Sequence, residues 1–275
     1  IFRVGVQIIE GTAKADDAAR TLTHVAECIV TELLRAVEDA LAQSAGRVPD
    51  GRFAVIAMGK LGGREMTAAS DLDLIFVYDT PPLHEHSDGE QSLPVSVYYA
   101  RLAQRLIAAL TVLTAEGGLY EVDMQLRPSG TKGPVAVSAA AFDGYYVQEA
   151  ETWELLALTR ARVVWATGPE FAKAAADAIE AALRRPRDRA KTAGDVREMR
   201  ELLERERPPK SEWDLKLSPG GLVDIEFAAQ FLQLVHAGQG GPLHPNTAQA
   251  LAALRDAGLA PAKAVADLER AWRLQ

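Results

Sequence analysis

Apolar residues recur along the chain with two different periods, and the switch between them divides it. From Ala15 to Ala45 they return at Leu22, Val25, Cys28, Ile29, Leu33, Leu34, Val37 and Leu41, the three-and-four spacing that gives a helix one apolar face. Cys28 falls in that series and is expected as a small core residue. "GRVPDGR" then breaks the helix with Gly, Pro and Asp-Gly. "FAVIAMG" (Phe53 to Gly59) is a continuous apolar run ending in glycine, and "DLDLIFVYD" (Asp71 to Asp79) is rich in branched and aromatic residues. The two read as neighbouring strands of a sheet covered on both faces, joined by a glycine loop. "TPPLHEHSDGEQSLP" reads as a solvated loop, which is also the expectation for His84 to Asp88, and Val97 to Leu113 resumes the helical period. "GGLYEVDMQLRPSG" alternates from Leu119 to Leu126, predicting a third strand.

Beyond "KGPVAVS" the pattern turns helical. Ala139 to Leu158 fits one helix, "ARVVWATG" is ambiguous between a strand and a helix end, and helices are expected over Glu170–Arg184, Ala193–Glu206, Leu222–Ala237, Thr247–Ala257 and from Pro261 onward. "RRPRDR" and "RERPPKSE" read as joints. Trp153, Trp165, Trp213 and Trp272 are expected to pack at the lobe junctions. Arg160 and Arg162 are expected to pair with Glu149, Glu151 or Glu154. The chain starts at Ile1 rather than Met and stops at Gln275 inside a helical pattern, as expected of a piece of something longer.

Composition narrows the function classes. With 275 residues, 48% of them hydrophobic, the chain has enough apolar material for one sizeable core or two modest ones. A net charge of −8 argues against nonspecific nucleic-acid binding, which needs a basic surface. One cysteine cannot close an intramolecular disulfide, and no apolar run reaches membrane-spanning length, so the expectation is a cytoplasmic protein with no membrane and no nucleic-acid partner.

The chemistry concentrates in "MGKLGGREMTAASDLDLIFVYD". In a strand, Asp71 and Asp73 project to one face while Leu72 and Leu74 face the core. Two carboxylates so close repel, and a divalent cation between them relieves the repulsion; Mg²⁺ favours one or two carboxylates plus phosphate oxygens. Gly59, Lys60, Gly62 and Gly63 supply backbone able to approach an anion closely, with one positive charge, and Ser70 adds a hydroxyl. The spacing matches neither the P-loop nor the dinucleotide fingerprint. Asp123 contributes a third acid, with Glu121 and Arg127 beside it. Three acids from two adjacent strands suit a pair of Mg²⁺ ions about 4 Å apart, the arrangement used for nucleotidyl transfer. Asp123 is a candidate to orient or deprotonate the incoming hydroxyl, with Lys60 and Arg127 offsetting charge on the leaving phosphates.

These residues resemble the nucleotidyltransferase superfamily shared with DNA polymerase beta, whose pattern Leu61-Gly62-Gly63, a seven-residue spacer and Asp71-Leu72-Asp73-Leu74 repeat. More narrowly, "GKLGGRE", "SDLDLIFVYD", "YEVDMQLRPSG", "ETWELLALTRARVV", "VREMRE" and "LKLSPGGLVDIEFAAQFLQL" are similar, in order, to the glutamine synthetase adenylyltransferase family, and "YEVDMQLRPSG", "RARVVWA" and "GGLVDIEF" to its carboxy-terminal, adenylylating unit. The resemblance implies an α+β chain: a small nucleotidyltransferase sheet with flanking helices, then an all-helical lobe. The expected bounds are an N-terminal helical segment at 1–50, a catalytic core at 51–166 and a helical domain at 167–275, truncated at its end. It implies AMP transfer from ATP to a tyrosine of glutamine synthetase, Mg²⁺ as cofactor, and control by a PII-type protein through the full-length enzyme. Asp71, Asp73 and Asp123 become metal ligands and catalytic residues; residues 59–63 with Ser70 and Arg127 become the nucleotide site; Lys216 and Glu226 stand behind it. Asp224 has a simpler reading as a first-turn acid at its helix. Gln125 stands where the family usually carries Arg, and "EAETWEL" where it carries "EAWTWEH". The alternatives are the deadenylylating, phosphorolytic unit, a noncatalytic module that binds glutamine synthetase, and a nucleotidyltransferase acting on nucleic acid or a small antibiotic.

Overall fold

The computed structural model describes residues 2–115, 117–211 and 213–274. Eleven helices and five strands follow in chain order among them: α1 (Phe2–Ile9), α2 (Ala15–Ala45), β1 (Arg52–Ala57), α3 (Gly59–Gly63), β2 (Leu72–Asp79), α4 (Val95–Thr111), β3 (Val122–Asp123), β4 (Ala136–Ser138), α5 (Ala139–Gln148), α6 (Thr152–Leu158), β5 (Arg162–Ala166), α7 (Gly168–Leu183), α8 (Arg189–Glu206), α9 (Leu222–Ala237), α10 (Thr247–Asp256) and α11 (Ala262–Leu274). The chain is thus a mixed α+β protein, as expected. It separates into two compact units, one of residues 1–149 and 161–178, the other of 150–160 and 179–275.

The first unit is built on the sheet. β1 pairs antiparallel with β2 and with β5, giving the order β3-β2-β1-β5. The outer edge of β2 is shared: β3 takes Leu72 and Asp73 in parallel, and β4 takes Phe76 to Tyr78, also in parallel. Phe53, Val55, Ala57, Leu72, Leu74 and Phe76 share a core with Leu22, Val30 and Leu34 of α2 and Leu102 and Leu106 of α4. The alternate residues Ala54, Ile56, Ile75 and Val77 are also buried. A sheet covered on both faces explains why β1 and β2 read as unbroken apolar runs rather than alternating ones.

Several expectations fail here. Cys28 is exposed, because the buried stripe of α2 runs through Leu22, Ala26, Val30 and Leu34, and two residues from Ala26 is the far side of a helix. The third strand shrinks to Val122–Asp123, since the Asp123 carboxylate and the Arg127 guanidinium fold the following residues into turns. The helix expected over Ala139–Leu158 stops at Gln148 and restarts at Thr152, where Glu151 and Glu154 form a reciprocal capping box.

In the second unit, Ile225 and Ala229 of α9, Ala250 and Leu251 of α10 and Val265 of α11 form a small core against which Trp272 packs. Trp165 packs on the core of the first unit, but Trp153 is exposed and Trp213 is 79% exposed, so the packing expected of these two is absent. No helix among the described residues is long and apolar enough to cross a membrane.

Leu34 is fully buried and Leu113 is 83% exposed. Urea unfolding should therefore show Leu34→Ala losing about 2–5 kcal/mol of stability and Leu113→Ala staying within about 0.5 kcal/mol of the parent.

Candidate active site

The site is assembled where β2 begins. Parallel pairing sets Asp73 opposite Asp123, anchored by Leu72 N–H donating to the Glu121 carbonyl at 2.9 Å. Register partners on adjacent strands project to the same face and stand about 4.8 Å apart. The two side chains therefore leave from neighbouring backbone positions on one face. Asp123 is further oriented by the Gln125 N–H, which donates to its Oδ1 at 2.7 Å. Asp71 precedes β2 and is exposed; it shares with Asp123 an open cleft of about 360 Å³ that Glu121, Gln125, Arg127 and Thr131 also line.

Asp73 is turned toward the segment after β1. A Cβ placed on Gly59 would run into its carboxylate, and Gly59 also holds φ at +51°. The position thus excludes side chains on both grounds. The glycine loop expected here is a five-residue helix, α3, entered by Gly62 N–H donating to the Met58 carbonyl at 2.8 Å and closed by Arg64 in the left-handed region. Buried Leu61 pins it to the core. Lys60 makes no ion pair among the described residues. Gly62 and Gly63 are buried, and the carbonyls of Leu61 and Gly62 accept from Arg162, which also pairs with Glu27 of α2 at 2.5 Å.

Two of the predicted phosphate contacts are engaged internally. The Ser70 hydroxyl accepts from Thr67 N–H at 2.9 Å and is buried in that turn. Arg127 donates to the carbonyls of Met124, Thr131 and Gly133 and so shapes the wall of the cleft. Arg162 finds Glu27 rather than the acids of the 149–154 segment. In the second unit Arg160 pairs with Glu226 at 2.8 Å. Lys216 is exposed, in a segment folded by the Asp214 carboxylate, which accepts from the backbone N–H of Lys210, Leu217 and Lys216 and is held below the usual carboxylate range by them. Asp224 caps its own helix start through Gly220 N–H and pairs with Arg200, in line with its simpler reading. His84 lies 3.5 Å from Asp50 at the surface.

Whether these acids suit a metal can be judged from the donors. Among the described residues no three His, Cys, Asp or Glu side chains form a group able to hold an ion. The Asp73–Asp123 pair supplies two hard oxygen donors, the number Mg²⁺ takes from protein when phosphate oxygens complete its shell. The pair fits a metal brought with a nucleotide; it does not make a closed protein cage.

Sequence reasoning missed Glu27 as the support of Arg162, and Thr131 and Gly133 as acceptors for Arg127. All of these contacts need chain closure over distances that no local pattern reports.

A mixed α+β unit with aspartates on the heads of two adjacent strands beside a glycine-rich turn defines the candidate site. Residues 1–198 match the family profile described as glutamate-ammonia ligase adenylyltransferase, and residues 190–274 that of GlnD PII-uridylyltransferase. A bifunctional glutamine synthetase adenylyltransferase/adenylyl-removing enzyme of Caulobacter vibrioides is 59% identical over 276 residues, covering 100% of this chain and 28% of that protein. The enzymes of the same name from Brucella suis and Rhodopseudomonas palustris are 52% and 51% identical, covering 85% and 91% of this chain and 24% and 25% of theirs. The chain belongs to the glutamine synthetase adenylyltransferase family. It spans about a quarter of the length of these relatives.

Gly59→Ala forces a side chain into the left-handed region and against Asp73, and should cost about 1–3 kcal/mol. Thermal melting should show that loss, while a substitution at exposed Arg101 leaves the midpoint unchanged.

Proposed function

We propose that this chain is the adenylylating unit of its family, a nucleotidyltransferase that moves AMP from ATP to a tyrosine hydroxyl of glutamine synthetase. The observation that carries this reading is the register that sets Asp73 beside Asp123, with Gly59 packed against the first carboxylate. The phenolic oxygen attacks the α-phosphorus, the bond to the β-phosphate breaks, and pyrophosphate leaves with the electron pair. Asp123, fixed by the Gln125 N–H, orients the hydroxyl and takes its proton. Lys60 offsets charge on the departing phosphates, and residues 59–63 cradle the triphosphate. Asp73 and Asp123, with Asp71 at the cleft edge, would hold Mg²⁺, which when bound would neutralise the phosphate oxygens and lower the cost of the attacking oxyanion.

Arg127 serves the site by holding the 124–133 wall through its three carbonyl partners. Glu226 and Lys216 belong to the supporting helical unit. The match of residues 190–274 to a PII-uridylyltransferase profile supports regulation by a PII-type protein in the longer enzyme, and the negative charge supports a protein rather than nucleic-acid substrate in the cytoplasm. The adenylylating assignment over the phosphorolytic one rests on "YEVDMQLRPSG" and "GGLVDIEF".

Two incubations with glutamine synthetase followed by intact mass, and a binding measurement, decide among the readings. ATP with Mg²⁺ should add AMP to the synthetase, and Asp73→Asn should slow that addition by about 10²-fold or more while circular dichroism stays unchanged. Removal of AMP by phosphate from the modified synthetase, without addition from ATP, would assign the phosphorolytic activity instead. Binding of the synthetase with neither reaction would leave a noncatalytic module.

A further inference from the structure

At the far end of β1 from the acids, a cavity of about 390 Å³ opens between α2, α4 and β5. Phe53 is the second residue of β1 and Met58 follows its end, where Met58 N–H meets the Asp73 carbonyl; five residues at about 3.3 Å each put the two sites about 16 Å apart along the strand. Its walls are aromatic. Phe53 stacks on Tyr99 with ring centroids 5.5 Å apart, and Trp165 tilts against Phe53 at 6.4 Å. Arg35, Glu38 and Arg47 stand on the polar side.

Tyr98, also in the lining, is 1% exposed, yet its hydroxyl has no hydrogen-bond partner. A buried donor left unpaired costs about 1–3 kcal/mol, and native folds rarely keep one without a use for it. Burial, reinforced by Glu38 and Asp88 and opposed by Arg47, pushes the Tyr98 hydroxyl up to about 12, so at neutral pH it stays an O–H donor in want of an acceptor. Neither Glu38, whose Oε1 pairs with Arg47 at 2.9 Å, nor Asp88, which accepts from the Arg47 N–H at 2.7 Å, hydrogen-bonds that hydroxyl. Within the lining the charges are two guanidiniums against one carboxylate. The other partners of those guanidiniums, Glu32 and Asp39, are about 70% exposed and screened by water.

We propose that this cavity binds a small planar carboxylate, its ring among Phe53, Tyr99 and Trp165 and its anionic oxygen accepting the Tyr98 O–H beside Arg47. The ligand class is that of aromatic acids. The reading does not depend on AMP transfer, and its test does not use activity.

Calorimetric titration of the whole chain with naphthalene-2-carboxylate, and separately with the uncharged naphthalene-2-methanol, reads the site directly. One equivalent of the acid should bind saturably, with the alcohol at least tenfold weaker. Tyr98→Phe removes an unpaired hydroxyl, so it should melt no lower than the parent while binding the acid about tenfold more weakly. Trp165→Leu provides a second variant and should also weaken binding. Absence of acid binding at millimolar concentration would overturn the proposal, leaving a cavity that holds only water. Acid binding unchanged in both variants, or equal binding of acid and alcohol, would overturn it as well.

Discussion

Two carboxylates placed side by side on parallel strands are the constraint around which the first unit is arranged. Like charges directly opposite one another destabilise a sheet, and here the backbone leaves no freedom to avoid it: Leu72 with Val122 and Asp73 with Asp123 are register partners. The sheet tolerates the arrangement only because β3 is two residues long and sits at an edge, with β4 taking over the pairing of β2 three residues later. The acids thus lie where the covered part of the sheet ends, half in protein and half toward a cleft. A longer β3 would extend the apolar pairing and close that opening.

The surroundings of the pair are rigid by ordinary means. Gly59 lets the backbone reach the Asp73 carboxylate, Leu61 buries the short helix that follows, and Arg162 ties two of its carbonyls to Glu27 on α2. Arg127 does the same for the opposite wall through three carbonyls. Two cations, Arg127 and Arg162, thus hold backbone segments rather than facing the cleft as free charges. Lys60, next to Gly59, makes no ion pair among the described residues, and it carries the electrostatic role in the proposed chemistry.

The same sheet supports a second environment at its other end. There the chain places aromatic rings and an unpaired tyrosine hydroxyl instead of carboxylates. β1 connects the two, and its fully buried residues from Ala54 to Ala57 make it a stiff spacer rather than a flexible link.

Much of this was legible in the residue pattern. The bounds of α2 and α9, the strands β1 and β2, and the closeness of Asp71 and Asp73 to a glycine-rich turn follow from local periodicity and from the chemistry of clustered charge, whereas the pairing of Asp123 with Asp73 needed the register of β3. Those are properties of residues close in sequence, where backbone geometry alone decides which side chains share a face. What tertiary structure alone decided were the choices between partners far apart in the chain. It turned Cys28 outward, cut the third strand to two residues, folded the glycine loop into a helix and gave Arg162 to Glu27 and Arg160 to Glu226. The physical reason is that a charged or half-apolar side chain has several acceptable neighbours of equal local merit, and only closure of the packed core selects among them.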